Sequence, residues 1–280
     1  MTPPGGQQKG LGASVARLAL IGALAGLFSG FFGVGGGFIM VPLLAGLAKF
    51  DQHRAHATSL AAIVLIAIAA VIRFGAGGEV DLVTGLLLGA GGMIGSTLGA
   101  GWMNRLPADR LRVIFILILL TAGLGLTFGG EPSAGFTPER WLSVVLAILI
   151  GIGAGIASGL AGIGGGVVMV PAMVFLLGMN QHAAEGTSLL AICFTAVAGT
   201  RVNLRHKRVR LVDAGVVALA GLIASPIGAT IALRLSGADL SRAFGVFVLV
   251  IGGRMLYMAL RERKRISDPA DAAEGGDGRP

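Results

Sequence analysis

GFFGVGGGFIMVP occupies residues 30–42, and GLAGIGGGVVMVP occupies residues 159–171. The two strings lie 129 positions apart, and the same offset superposes much of the chain on their C-terminal sides. Gln52-His53 falls on Gln181-His182, and Thr58-Ser59-Leu60 falls on Thr187-Ser188-Leu189. Gly92, Ser96, Gly99, Ala100, Arg105 and Leu106 fall on Gly221, Ser225, Gly228, Ala229, Arg234 and Leu235. A shared apolar bias would not align His, Arg and Pro, so the pattern reads as duplication of one unit.

Each copy carries apolar runs of bilayer-spanning length. They cover about 13–33, 57–74, 82–104 and 110–129, and again 141–162, 186–201, 211–233 and 239–260. A shorter run of just over half a span comes after the glycines at 37–48 and 166–178. The runs are unbroken rather than alternating, which favours helices over strands. Composition agrees: of 280 residues 54% are hydrophobic and only 13% charged, and the mean hydropathy is +0.84. A water-facing surface needs about twice that share of charge. The expected fold is an all-α transmembrane bundle of two homologous repeats with eight to ten membrane segments, the short ones included. Units are expected at 13–129 and 141–260, joined by a polar linker at 130–140. A disordered N-terminus at 1–12 and a basic, then disordered, tail at 261–280 flank them.

Charge suggests how the copies lie. Net charge is +8, with basic clusters at 205–208 and 261–265. Such clusters beside apolar runs report orientation and lipid headgroups rather than nucleic acid. With both clusters cytoplasmic, five segments per unit invert the second copy. The loops at 49–54 and 105–112 then fall inside, and those at 75–81 and 131–140 outside. Glu79 and Asp81 match Arg208 and Arg210 under the repeat, the opposite bias that inversion requires. The rival arrangement is a parallel pair of four-span units, with the short segment counted into its neighbour.

The chemistry concentrates at Gly33, Gly35, Gly36 and Gly37 and at Gly162, Gly164, Gly165 and Gly166. Three consecutive glycines discourage continuous helix. A broken backbone at membrane depth is tolerated only where it is protein-buried or lines a polar cavity. Pro42 and Pro171 sit late in the adjoining short segments, where they could bend them. A short helix beginning at Gly36 or Gly165 would aim free N–H groups and a positive dipole end at the break, a backbone-made anion site. Transporters with inverted repeats put substrate near the midplane between such broken helices. The plainer alternative is close packing through glycine faces. Thr58, Ser59, Thr187 and Ser188 are expected to open the next helix of each unit, either facing the same anion or simply capping. His53, His182 and Glu185 are candidates for proton coupling, with headgroup-level loop residues as the plainer reading. Arg73 and Arg201 lie at helix ends, where snorkelling to the interface competes with anion attraction.

Other function classes lose ground. Neither a Ser/His/Asp nor a Cys/His constellation is visible, and no cluster has metal spacing, so neither catalysis, a metal nor a cofactor is expected. The single cysteine, Cys193, permits no internal disulfide. Gly-x-Gly-x-x-Gly-like spacing inside an apolar run, without a strand–helix unit around it, does not read as dinucleotide binding.

The Gly-x-x-Gly-x-Gly-Gly-Gly-x-x-x-x-Pro stretches at 30–42 and 159–171, each followed by Thr-Ser-Leu, resemble the TauE/SafE family of sulfite and anion exporters, also called the TSUP family. The likeness covers about 15–260. It implies a multi-pass inner-membrane transporter for sulfite, organosulfonates, other sulfur oxyanions or related organic anions. It also implies eight spans from a doubled four-span unit, against the five segments per unit that the apolar runs suggest. The resulting expectation is a secondary transporter of a small anion working by alternating access in the lipid bilayer, with its C-terminus cytoplasmic. A passive anion channel and a membrane scaffold or assembly factor are the alternatives. Substrate, direction, coupling ion and oligomeric state are left open by the residues alone.

Overall fold

A computed structural model describes residues 5–102, 108–129, 138–161, 165–205 and 210–267. The described residues form ten helices and no strand. In chain order these are α1 (Gly5–Phe32), α2 (Gly37–Gly46), α3 (Gln52–Ala76), α4 (Leu82–Trp102) and α5 (Ala108–Phe128). Next come α6 (Arg140–Ala161), α7 (Gly166–Leu177), α8 (Gln181–Arg205), α9 (Leu211–Ala232) and α10 (Gly237–Ser267). Six of them, α1, α3, α6, α8, α9 and α10, are long and apolar enough to cross a membrane. The 25 residues of α3 or α8 extend about 37 Å at 1.5 Å per residue, which covers a hydrocarbon core of about 30 Å. Shorter apolar stretches lie in α2, α4, α5 and α7.

The outer faces carry side chains that water would not tolerate in such number, among them Leu20, Ile72, Leu86, Phe128, Leu149, Ile223 and Val250. Spread over the flanks of long apolar helices, they make a surface suited to acyl chains. Inside, Ile21, Met40, Leu44, Ile63, Ile66 and Phe74 fill one buried cluster. Leu88, Leu119, Leu126, Met169, Met173 and Phe244 fill a second.

Small residues set the helix spacing. A Cβ built on Gly22, Gly26 or Gly30 of α1 would strike backbone of Val217, Gly221 or Ser225 in α9. Because both number series rise together, α1 and α9 run parallel. Gly91 and Gly95 of α4 meet Ile148 and Ile152 of α6 in the same sense. Lipid offers no hydrophobic drive for helix association, so close backbone approach through such residues is the main source of cohesion.

Polar contacts fix the remaining directions. Arg54 near the start of α3 bonds Asp213 near the start of α9, and Arg73 near the end of α3 bonds Thr230 near the end of α9. These two helices are therefore parallel. Gly85 and Gly89 of α4 pack on Leu190 and Phe194 of α8, which are also parallel. By contrast, Phe74 meets Gly186 and Leu60 meets Gly199, so α3 and α8 run antiparallel. The pair α5 and α10 is antiparallel as well, with Leu120 at Gly252 and Thr127 at Gly245. One end of the bundle thus holds the starts of α3 and α9, and the opposite end holds the starts of α4 and α8.

Replacing Gly26 with Ala should destabilise the bundle, because the new Cβ would collide with the Gly221 carbonyl oxygen. The expected loss is about 1–3 kcal/mol, the usual cost of overpacking. Gly215→Ala in the same α1–α9 pair, where nothing lies within 4 Å, should be neutral or slightly stabilising. Thermal unfolding of the two purified variants in detergent checks the difference.

Candidate functional site

Helix α1 ends where Gly33, Gly35 and Gly36 adopt φ values of 66°, 77° and 71°. That left-handed backbone is open to glycine at no steric cost and ends a right-handed helix at once. Gly36 is the residue preceding α2, and Gly165 with φ 77° precedes α7 in the same way. The broken backbone expected here is observed at both ends of the first stretch. In the second stretch Gly162 and Gly164 lie outside the described residues, whereas Gly165 and Gly166 are placed, and Gly166 is buried.

Within the first break Gly35 lies level with the middle of α3 and α8. A Cβ on Gly35 would lie 3.0 Å from Cγ2 of Ile192 and 3.4 Å from Cγ2 of Ile63. Ile63 and Ile192 are central in α3 and α8 and lie 129 positions apart. The start of α7 meets the first break directly: a Cβ on Gly166 would come 2.7 Å from Cα of Val34 and 3.1 Å from the Gly33 carbonyl oxygen. Two short helices therefore begin beside one another near the middle of the bundle.

Their first turns leave donors over. In α2, Ile39 and Met40 both donate back to the Gly36 carbonyl, and in α7, Val168 and Met169 donate to that of Gly165. The amides of Gly37 and Phe38, and of Gly166 and Val167, have no carbonyl behind them in their own helices. A helix start with free amides and a positive dipole end favours an anion, and the effect strengthens where water is scarce. Gly33 through Gly37 are all buried.

Thr58 and Ser59 are fully buried but do not open α3, contrary to the sequence expectation. Asp51 caps that helix by accepting from the Arg54 amide, and Asn180 caps α8 by accepting from the Ala183 amide. Both caps are stronger than an internal Thr or Ser, and the polar turns after them continue as helix. Thr58, Ser59, Thr187 and Ser188 therefore lie well inside their helices. Ser59 is one turn before Ile63, on the stripe that faces Gly35. Among the described residues the hydroxyls of Thr58 and Ser59 have no hydrogen-bond partner, and neither does that of Ser29, whose Cβ stands 3.2 Å from the Cβ position of Gly36. Three buried, unpaired hydroxyls on the elements around one break are costly unless something uses them.

The second pair is occupied. Thr187 Oγ1 accepts from the Asp81 amide at 3.0 Å, and the Ser188 hydroxyl donates to the Gly33 carbonyl, with the Glu185 carbonyl also in reach at 3.0 Å. Ser188 thus ties α8 to the first break. Glu185 is fully buried one turn from the start of α8, with its Cα and Cβ against Gly33. Gln181 Nε2 donates to Glu185 Oε1 at 2.8 Å, and Oε2 has no partner among the described residues. His53 is exposed at the start of α3, away from the break. His182 lies 3.1 Å from the Ala232 carbonyl at the end of α9. Pro42 is exposed and Pro171 buried, each inside its short helix. Arg73 is held by Thr230 at 2.8 Å, and Arg201 is exposed.

Two participants had escaped the sequence reading. Ser29 lies one residue before the first glycine stretch, and its 129-position match, Ser158, was a visible signal. Gln181 was aligned with Gln52, but its role appears only once Glu185 is known to be buried beside it. A cavity of about 240 Å³ opens beside the break, but Leu27, Phe28, Phe31, Phe32 and Ile231 line it with apolar surface, unsuited to a charged solute. Among the described residues no three His, Cys, Asp or Glu gather as a metal site.

The family described as "Sulfite exporter TauE/SafE" matches residues 3–126 and 147–277. A "Probable membrane transporter protein" of Xylella fastidiosa strain Temecula1 is 30% identical over 236 residues, covering 82% of this chain and 90% of the relative. The "Probable membrane transporter protein YunE" of Bacillus subtilis is 24% identical over 269 residues, 87% of this chain and 98% of the relative. A "Probable membrane transporter protein" of Haemophilus influenzae is 28% identical over 257 residues, 84% and 96% respectively. This multi-pass membrane protein belongs to the TauE/SafE family of membrane transporters.

Proposed function

We propose that the chain is a secondary transporter of a small anion, working by alternating access around the paired breaks. The observation that carries the reading is the contact of Gly166 with Gly33 and Val34, which sets two helix starts side by side at mid-depth. The amides of Gly37, Phe38, Gly166 and Val167 and the hydroxyls of Ser29, Thr58 and Ser59 bind the anion. Partial charges hold an ion that must also leave better than a buried arginine would. Sulfite, an organosulfonate or a related sulfur oxyanion or organic anion suits such a site, and the family's name supports sulfur oxyanions first.

The two halves are inverted copies of one unit. Supporting this, α1 packs on α9 as α6 packs on α4, and α3 and α9 pair as α8 and α4 do. The matching helices α3 and α8 run in opposite directions, as do α5 and α10. Such a pair has two nearly equivalent arrangements, one opening to each side. The membrane is the cell's inner membrane. Lys49, Arg54, Arg205, Arg210 and Arg261 mark the cytoplasmic end, and Glu79, Asp81 and Asp239 the external one, which leaves the C-terminus inside.

Ser29→Ala, Thr58→Val and Ser59→Ala should each weaken anion binding by about 0.5–1.5 kcal/mol, the net worth of one hydrogen bond, or roughly two- to tenfold in Kd. Their thermal stability without anion should hold or rise, since an unpaired buried hydroxyl is removed. Ser188→Ala should instead lose stability. Binding isotherms for sulfite and melting curves of the purified protein, with anion exchange in proteoliposomes as the activity, check this contrast. Sidedness has its own test. In a Cys193→Ala background, cysteines at Asp51 and Arg210 should react with a membrane-impermeant maleimide from the cytoplasmic side only. Cysteines at Gly78 and Asn180 should react from the external side only.

A further inference from the structure

We propose that Glu185 is the proton-binding residue of this transporter, so that a proton and the anion travel together in the same direction. The inference rests on the anion site proposed for the paired breaks. Its own basis is the placement of one carboxyl group.

Glu185 is fully buried inside a membrane-spanning helix. Its Oε1 accepts from Gln181, and its Oε2 has no hydrogen-bond partner among the described residues. Its backbone forms the wall against Gly33, and its carbonyl lies within reach of the Ser188 hydroxyl that is bonded to the Gly33 carbonyl. The carboxyl is therefore coupled mechanically and electrostatically to the first break. Among the described residues no counter-charge holds it. On α8 itself the nearest titratable group is His182, directed to the Ala232 carbonyl. From α3, Arg73 is taken up by Thr230, Arg54 by Asp213, and His53 and His56 lie near the opposite end. Between α3 and α4, Glu79 presents its carbonyl to Gly186, and the Asp81 carboxylate caps Thr84. Helices α4 and α7 carry no ionisable residue. In α10, Asp239 and Arg242 pair with each other at 3.5 Å, both exposed. Arg140 begins α6 and is exposed.

An intramembrane carboxyl with no ion partner is a functional group by default. Adding a proton to Oε2 removes a negative charge beside the anion site and turns an orphan acceptor into a donor. Removing it restores a charge that repels the anion. Each ligand therefore favours the other, and linkage makes the effect reciprocal. One proton is taken up with the anion on one side and released with it on the other. Glu185 gains one O–H bond when the proton binds and loses it on release, with no change of oxidation state, so no redox partner is needed.

The test uses the full-length purified protein and Glu185→Gln, which keeps the shape and removes the titration. Infrared difference spectra across a pH step should show a protonated-carboxyl stretch in the wild type that Glu185→Gln lacks. Adding sulfite at fixed pH should make the wild type take up protons, read with a pH dye, and the variant take up none. In proteoliposomes, a proton gradient should drive sulfite accumulation by the wild type. Glu185→Gln should still exchange sulfite for sulfite but lose at least tenfold of the gradient-driven accumulation. Glu185→Asp should recover accumulation with a displaced pH profile. An unchanged infrared band in Glu185→Gln, accumulation that survives in it, or wild-type sulfite binding without proton uptake would each overturn the proposal. If the wild type neither binds nor exchanges any anion while the Glu185 band is present, the transport reading fails and the protonation site stands.

Discussion

An unpaired backbone amide inside a bilayer has no water to turn to, and the whole arrangement answers to that constraint. Gly33, Gly35 and Gly36 take up left-handed backbone and end α1 near the end of its partner α9. The chain turns back as α2, and the same happens before α7 at Gly165. Exposed to lipid, either break would cost several kcal/mol per group (about 4–8 on alkane scales). The first is instead enclosed by α3 and α8, which set Ile63 and Ile192 against Gly35, and Gly166 at the start of α7 packs on Ile192 as well. The small residues that let α1 close on α9, and α4 on α6, serve the same end by bringing the helices near enough to seal the breaks.

Sealing and function pull in opposite directions. Ser188 satisfies the Gly33 carbonyl, and Asp81 donates to Thr187, so the α8 side of the site is stitched. The α3 side is not: Ser29, Thr58 and Ser59 keep hydroxyls that bond nothing among the described residues. Stability alone would favour Ala or Val at such positions. That asymmetry distinguishes the α3 side of the first break from its α8 side.

The glycine stretches and the apolar runs made the all-helical membrane fold readable from residue order alone. Glycine at positive φ and apolar length are local properties, and both are written in residue type. Helix starts were less readable. Asp51 and Asn180 are ordinary caps, but the polar turns after them resembled loops, so Thr58 and Thr187 read as helix openings. Gly162 and Gly164 lie outside the described residues. Depth and juxtaposition are beyond any local reading. That Gly166 lands on Val34, that Glu185 loses all contact with water, and that Arg54 finds Asp213 depend on packing between halves over a hundred residues apart.

The central claim is that a negatively charged solute sits at mid-membrane between the starts of α2 and α7. Anomalous diffraction from crystals of the full chain grown with selenite, a heavier analogue of sulfite, tests it most directly. The account predicts one dominant selenium peak within hydrogen-bonding distance of the Gly37 and Gly166 amides and near the Ser59 hydroxyl. Selenium found only beside surface arginines, or density running through residues 33–37 as unbroken helix facing lipid, would contradict it.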